Sequence, residues 1–205
     1  MADSTYVIYP VPGLHYLEII YEDPIHLKNT YRFIHEWLGE NGFVDDFGAD
    51  HFIEKLYLDY RGLAPTGVGE CMVLWRTSKV PPNWGSNYTY YKYFLNVNFH
   101  MINIVDVKVP VPEWGGKQRT VQQGELNINL KPWIKLDIGG VWKKNSILSM
   151  FQEHFLRRIY EKEMTYHKNE LFSDTYKLQT AIKEFFQRKQ FVTPPEAFHH
   201  RYETL

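Results

Sequence analysis

The sequence predicts an α+β protein: an antiparallel sheet with two long central strands, one N-terminal helix, and a long C-terminal helix or helix pair packed on one face. Two stretches, 94–109 and 125–138, alternate apolar and polar residues with a period of two. A segment after Asp23-Pro24 and a long one after Gly139-Gly140 change to a period of three to four. The resulting order is strand, helix, several strands, long terminal helix.

Residues 1–5 carry no structural signal, and Tyr9-Pro10-Val11-Pro12-Gly13 reads as an extended leading segment closed by a turn. Residues 14–21 follow as a first strand. Asp23-Pro24 predicts a helix start, because an aspartate accepts from orphan amides and a proline at the first helical position loses no bond. From there Leu27, Tyr31, Ile34 and Leu38 share a face, and Gly39 or Gly42 ends the helix. Residues 41–50 form an acidic loop. Residues 52–60 and 70–80 read as two strands joined by a segment containing Gly62, Pro65, Gly67 and Gly69, and 81–87 as a loop.

In the first central strand the odd positions Leu95, Val97, Phe99, Met101, Val105, Val107 and Val109 are apolar, with Asn96, Asn98, His100, Asp106 and Lys108 between them. In the second the even positions Leu126, Ile128, Leu130, Ile134, Leu136 and Ile138 are apolar. Each pattern is that of a strand with one dry face. Pro132 falls on the apolar side without a backbone donor, which predicts an edge strand or a bulge there. Pro110, Pro112, Gly115 and Gly116 predict a turn joining antiparallel neighbours. At roughly 3.3 Å per residue each strand would exceed about 40 Å, so the pair either bends or projects as a hairpin.

After Gly139-Gly140, Asn145 or Ser146 can cap a helix carrying Leu148, Phe151, Phe155 and Ile159. Leu178, Ile182, Phe185 and Phe186 continue it, or start a second helix capped by Asp174 after a bend at Ser173-Asp174. Thr193-Pro194-Pro195 ends the helical part, so 1–193 reads as one domain and 194–205 as a polar and aromatic tail. In element order the chain resembles helix-grip folds, in which a curved sheet wraps a long C-terminal helix around a ligand cavity; no motif accompanies that likeness.

Of the 205 residues, 44% are hydrophobic and 23% charged, ordinary for a soluble globular protein, whereas an aromatic share of 17% is high. No apolar run approaches the ~18 residues of a membrane span, no basic-then-apolar leader is present, and one cysteine forms no internal disulfide. The expectation is a soluble intracellular protein without membrane contact. A net charge of −1 argues against general nucleic-acid binding. Residues 1–60 carry −8, while 61–142 and 143–190 each carry +4. That asymmetry suits association of acidic end to basic end, or cancels within one folded domain.

Asp45, Asp46, Asp50, His51 and Glu54 offer oxygen and nitrogen to a cation, but without the spacing of a calcium loop they read as a solvated loop. Glu163 and His167 stand at i, i+4 and read as a surface ion pair. Glu196, His199 and His200 belong to the tail. No metal and no cofactor is expected. Cys71 opens an apolar strand with no base in view and reads as a small core residue. Gly62, Gly67 and Gly69 are turn glycines, since no GK[ST] follows.

Asn96, Asn98 and His100 would line a polar pocket if a helix covers their face, with Asp59 or Glu70 beside them; otherwise they are the wet side of the sheet. The segment Trp84, Tyr88, Tyr90, Tyr91, Tyr93 and Phe94 offers large contact area with polar tips, the composition of an interface; alternatively its alternate members fill the core. No residue is assigned to catalysis. The expectation is therefore a non-enzymatic protein-interaction or structural module, self-associating or a subunit of a larger assembly, using the aromatic segment and the hairpin. The alternative is a small-ligand-binding or catalytic domain with a cavity between sheet and C-terminal helix.

Overall fold

The alternating stretches pair as expected: Tyr91–Val111 and Lys117–Leu136 run antiparallel, side by side, at the centre of one sheet. The computed structural model describes residues 8–10, 16–45, 53–60, 69–81, 91–111, 117–136 and 161–187. Within them the strands are β1 (Ile8–Pro10), β2 (Leu17–Tyr21), β3 (Val44–Asp45), β4 (Glu54–Asp59), β5 (Gly69–Lys79), β6 (Tyr91–Val111) and β7 (Lys117–Leu136). The helices are α1 (Leu27–Glu40) and α2 (Glu161–Gln187). The seven strands form an antiparallel sheet in the order β1-β7-β6-β5-β3, with β2 also on the outer edge of β7 and β4 also on the outer edge of β5. The protein is α+β.

Pro132 is not on an edge strand, because β7 has neighbours on both sides. It sits where β2, which pairs with 126–130, has ended and β1, which pairs with 133–135, has not begun. A missing donor in that gap removes no ladder bond.

Both helices cover the face that carries Leu95, Val97, Phe99 and Met101, all essentially inaccessible. α1 lies over β5, with Tyr31 edge-on to Trp75 at 4.9 Å, and α2 crosses β6 and reaches β2, where Tyr21 stacks on Phe186 at 4.4 Å. Phe33 and Phe185 stack at 4.3 Å between the helices. Leu171, Leu178 and Ile182 of α2 join Ile34 and Leu38 of α1 in the same core. Fully burying each such side chain contributes about 1.5–3 kcal/mol.

The start of α1 differs from expectation, and α2 takes the first of the two forms expected of it. α1 begins at Leu27 with His26 as its cap, whose Nδ1 accepts from the Asn29 amide at 3.3 Å. Asp23-Pro24 does not start it, because Ile25 exchanges main-chain bonds of 2.7 and 2.8 Å with Gln122 and is held extended. The other end is a Schellman turn: Gly42, at φ +77, donates to Gly39, and Phe43 donates to Leu38. α2 runs through Ser173-Asp174 without a bend, so Asp174 is an interior helical residue and not a cap. The helical set Leu148 to Ile159 and its capping residues lie outside the described residues.

β6 is not straight in register. Between Ile102 and Val105 it holds one more residue than β7, with Asn103 at φ 55 and Gly124 facing the extra residue. A Cβ on Gly124 would stand 2.5 Å from the Ile102 carbonyl oxygen, so the close approach requires glycine. The extra residue moves Val105, Val107 and Val109 off the helix-covered face that carries Leu95 to Met101. They pair with Gln123, Val121 and Arg119, while Asp106 and Lys108 pair with Gln122 and Thr120.

Candidate interaction surface

Among the described residues a polar cluster lies beneath α2. The inward stripe of that helix, Met164, His167, Leu171, Asp174, Thr175, Leu178, Ile182 and Phe186, recurs every three to four residues and includes a histidine and an aspartate. Tyr93 OH lies 2.6 Å from His167 Nδ1 and donates to Glu170 Oε2 at 2.7 Å. One hydroxyl has one proton, so with that proton on Glu170 the His167 Nδ1–H donates to the tyrosine oxygen. Burial lowers the His167 pKa, against an opposing pull from Glu170, and burial with the Glu170 bond raises that of Tyr93. One turn further on, Asp174 accepts from Lys79 at 2.7 Å and from Lys177 at 3.0 Å. Burial would raise the Asp174 pKa, but the two lysines outweigh it and hold the carboxyl below its usual range. These groups satisfy one another and tie α2 to β5 and β6.

Tyr91 and Tyr93 therefore belong to the core, not to a contact surface: they are 1% and 0% exposed, and the Tyr91 ring lies 4.1 Å from that of His167. Trp84, Tyr88 and Tyr90 lie outside the described residues. His167 points into the protein and not toward exposed Glu163, so their spacing does not make a surface pair. Cys71 is buried, as its apolar strand implies. In the acidic stretch Asp45 is buried against Lys55, and Glu54 accepts from Tyr31; Asp46, Asp50 and His51 lie outside the described residues, as do Glu196, His199 and His200. Among the described residues no three His, Cys, Asp or Glu side chains are grouped to hold a metal.

Asn96, Asn98 and His100 occupy the face opposite α1 and α2, so neither helix closes a pocket over them. His100 Nε2 meets Glu70 Oε1 at 2.7 Å, whereas Asp59 lies at the far edge opposite Cys71. Asn127 donates to Glu18, and Asn129 to Asn127. The side-chain oxygens of Asn96 and Asn98 are shielded from solvent without a hydrogen-bond partner among the described residues. Beside this polar column Leu56 and Leu58 stand opposite Leu74 and Met72, all half-buried, and Ile20 is 54% exposed. No described helix is long and apolar enough to cross a membrane.

Beyond the bulge, β6 and β7 continue together as an arm. β5 pairs with β6 only as far as Ile104, so among the described residues nothing flanks the outer edge of 105–109. Val105 is 47% exposed, and Asp106 and Lys108 are exposed. An open groove of about 560 Å³ lies at the bend, lined by Glu22, Asn103, Val105, Val107, Gln123, Gly124 and Glu125. The alternation alone missed this arrangement, though Asn103 interrupts the apolar series and Gly124 interrupts the facing strand, a pairing that marks a bulge. Comparison with protein-family models, with curated proteins and with solved structures finds no match to this chain.

Proposed function

We propose that the protein is a non-enzymatic interaction module, a subunit of a larger assembly, whose contact surface is the arm beyond the bulge and the sheet face opposite α1 and α2 that leads to it. The observation that carries this reading is the bulge itself. It turns three valines away from the helix-covered core and leaves a strand edge whose main-chain groups are unpaired among the described residues, an arrangement that invites another chain. The cluster of Tyr93, His167, Glu170 and Asp174 favours the same reading, since the tyrosine hydroxyl and both carboxylates are engaged by one another's side chains, by His167 Nδ1 and by lysines.

The test is the native size of the chain in an extract of its own source, read by size exclusion with specific detection. Support would be a complex well above the mass of one chain that falls to the lone chain in Val105→Lys/Val109→Lys, provided the variant melts as wild type does. A wild-type chain that elutes alone, or a complex indifferent to the variant, overturns the arm as contact surface.

A second reading, binding of a small ligand, is favoured by the groove at the bulge, which Glu22 and Glu125 line together with Val105 and Val107. Its two lining carboxylates suit a cationic ligand. Thermal shift in a cationic metabolite screen, lost in Glu125→Gln, is its test.

A further inference from the structure

We propose that the open edge of β6 pairs with the same edge of a second copy, antiparallel and centred on Val107, giving a two-fold symmetric dimer. The inference rests on the interaction reading above and names its partner.

The hydrogen bonding of the arm sets which main-chain groups are on offer. Gln122 gives both its N–H and its C=O to Ile25, on the side of β7 away from β6. Directly opposed residues in an antiparallel pair either exchange both bonds or neither, so the Asp106–Gln122 pair exchanges none. The N–H and C=O of Asp106 therefore point away from β7, out of the sheet edge, and those of Lys108 do the same two residues on. Val105, Val107 and Val109 spend theirs on β7. Pro110 shares the outward parity of Lys108, which is why a residue without N–H is tolerated in this strand.

A two-fold axis at Val107 sets Asp106 against Lys108 of the second copy, and Lys108 against its Asp106. Those are the residues with free main-chain groups, so each such pair exchanges both bonds. Their side chains then meet as opposite charges on one face. Val105 meets Val109 of the second copy, and Val107 meets its counterpart, on the other face. The neighbouring registers that keep the main-chain match are centred on Asp106 or on Lys108, and they set aspartate against aspartate or lysine against lysine. A one-residue shift between these leaves the outward groups facing groups already bonded to β7. A lone lysine deters pairing along an edge; the order Val-Asp-Val-Lys-Val makes this edge complementary to itself in one register only. At the end of that register Pro110 faces Ile104 and has no donor, so the ladder stops.

The experiment is sedimentation equilibrium on the purified chain across a dilution series, with Asp106→Lys, Lys108→Asp and the exchange D106K/K108D beside wild type. Lys108→Asp leaves the bond from Gln122 to Asp106 in place, so its effect is not one of a damaged arm. Each single change turns both cross-strand pairs repulsive and should weaken the dimer Kd by at least about tenfold. The exchange restores opposite pairing and should return the Kd to within a few-fold of wild type. A wild-type monomer at every dilution overturns the inference, as does a dimer indifferent to Lys108→Asp or one that the exchange fails to restore. If the purified chain is monomeric while a large complex persists in the native extract, this inference falls and the interaction reading stands; a lone chain in both removes both.

Discussion

Gly124→Ala tests the bulge on which the arm depends. The added Cβ would stand 2.5 Å from the Ile102 oxygen, 3.1 Å from the Asn103 oxygen and 3.2 Å from the Asn103 carbonyl carbon. Weak C–H···O contacts settle at about 3.3–3.6 Å, so the first overlap is about 0.8 Å or more. The opposing atoms are main chain, so no rotamer change relieves it, and β6 is held on both sides next to the bend. Overpacking of this kind costs about 1–3 kcal/mol. Restricting the unfolded chain offsets about 0.4–1 kcal/mol. A net loss of about 1–2 kcal/mol remains, a fall in Tm of about 3–6 °C for a chain of this size. Gly39→Ala supplies the contrast: nothing lies within 4 Å of its Cβ in the last turn of α1, and the exchange should stabilise by about 0.5–1 kcal/mol. Urea unfolding followed by tryptophan fluorescence gives both values. A Gly124→Ala protein as stable as wild type would mean that the strand crossing yields without cost, and the bulge could not hold the valines on their present face.

Removing the Asp174 carboxylate leaves Lys79 partly buried with its ammonium 5.2 Å from the Phe43 ring centroid. Asp174→Ala should therefore lose about 3 kcal/mol in urea melts, and Lys79→Met/Asp174→Leu should recover most of it, since a well-packed apolar pair often replaces a buried ion pair without loss. An Asp174→Ala loss below about 1 kcal/mol would show that water already screens the pair. The His167 pKa is lowered in the folded state, mainly by burial, so below about 6.5 the unfolded chain takes up a proton that the native state refuses. Its contribution is complete above that pH and declines as pH falls toward the folded value, by about 1.4 kcal/mol for each unit of depression. Unfolding free energies between pH 7.5 and 5 should fall less steeply in His167→Phe than in wild type, and parallel curves would refute a neutral buried histidine.

Much of the architecture was legible because burial imposes a period. Leu95 to Met101 and Leu126 to Leu136 alternate since one side of each strand faces the helices. The same parity carried back from Leu95 reaches Tyr93 and Tyr91, so their place in the core follows the second of the two readings that the aromatic segment allowed. What was not legible came from partners distant in sequence. Asp23-Pro24 has the residues of a helix start, but Gln122 captures Ile25 and delays the helix to Leu27. Asp174 has the residue type of a cap, but Lys79 lies where an interior helical position can reach it. Val105, Val107 and Val109 continue the odd series in the sequence, yet one extra residue at the bulge transfers them to the other face. Periodicity counts residues along one strand; a bulge is a disagreement between two.

That disagreement also explains how the sheet serves two purposes. An uninterrupted β6 would have kept its valines on the helix side and its charged residues on the other, with no helix from this chain above 105–109 to cover the apolar row among the described residues. With the extra residue, Asp106 turns to the face of Gln122, toward the start of α1, where Gln122 accepts from the Leu27 amide and donates to Asp106. The core end of the arm is thereby tied to the helix layer through main chain and side chain alike. Its outer edge keeps the main-chain groups of Asp106 and Lys108, which are unpaired among the described residues. A register change at Asn103, permitted by Gly124, thus converts the continuation of a core strand into a stretch whose outer edge is unpaired among the described residues.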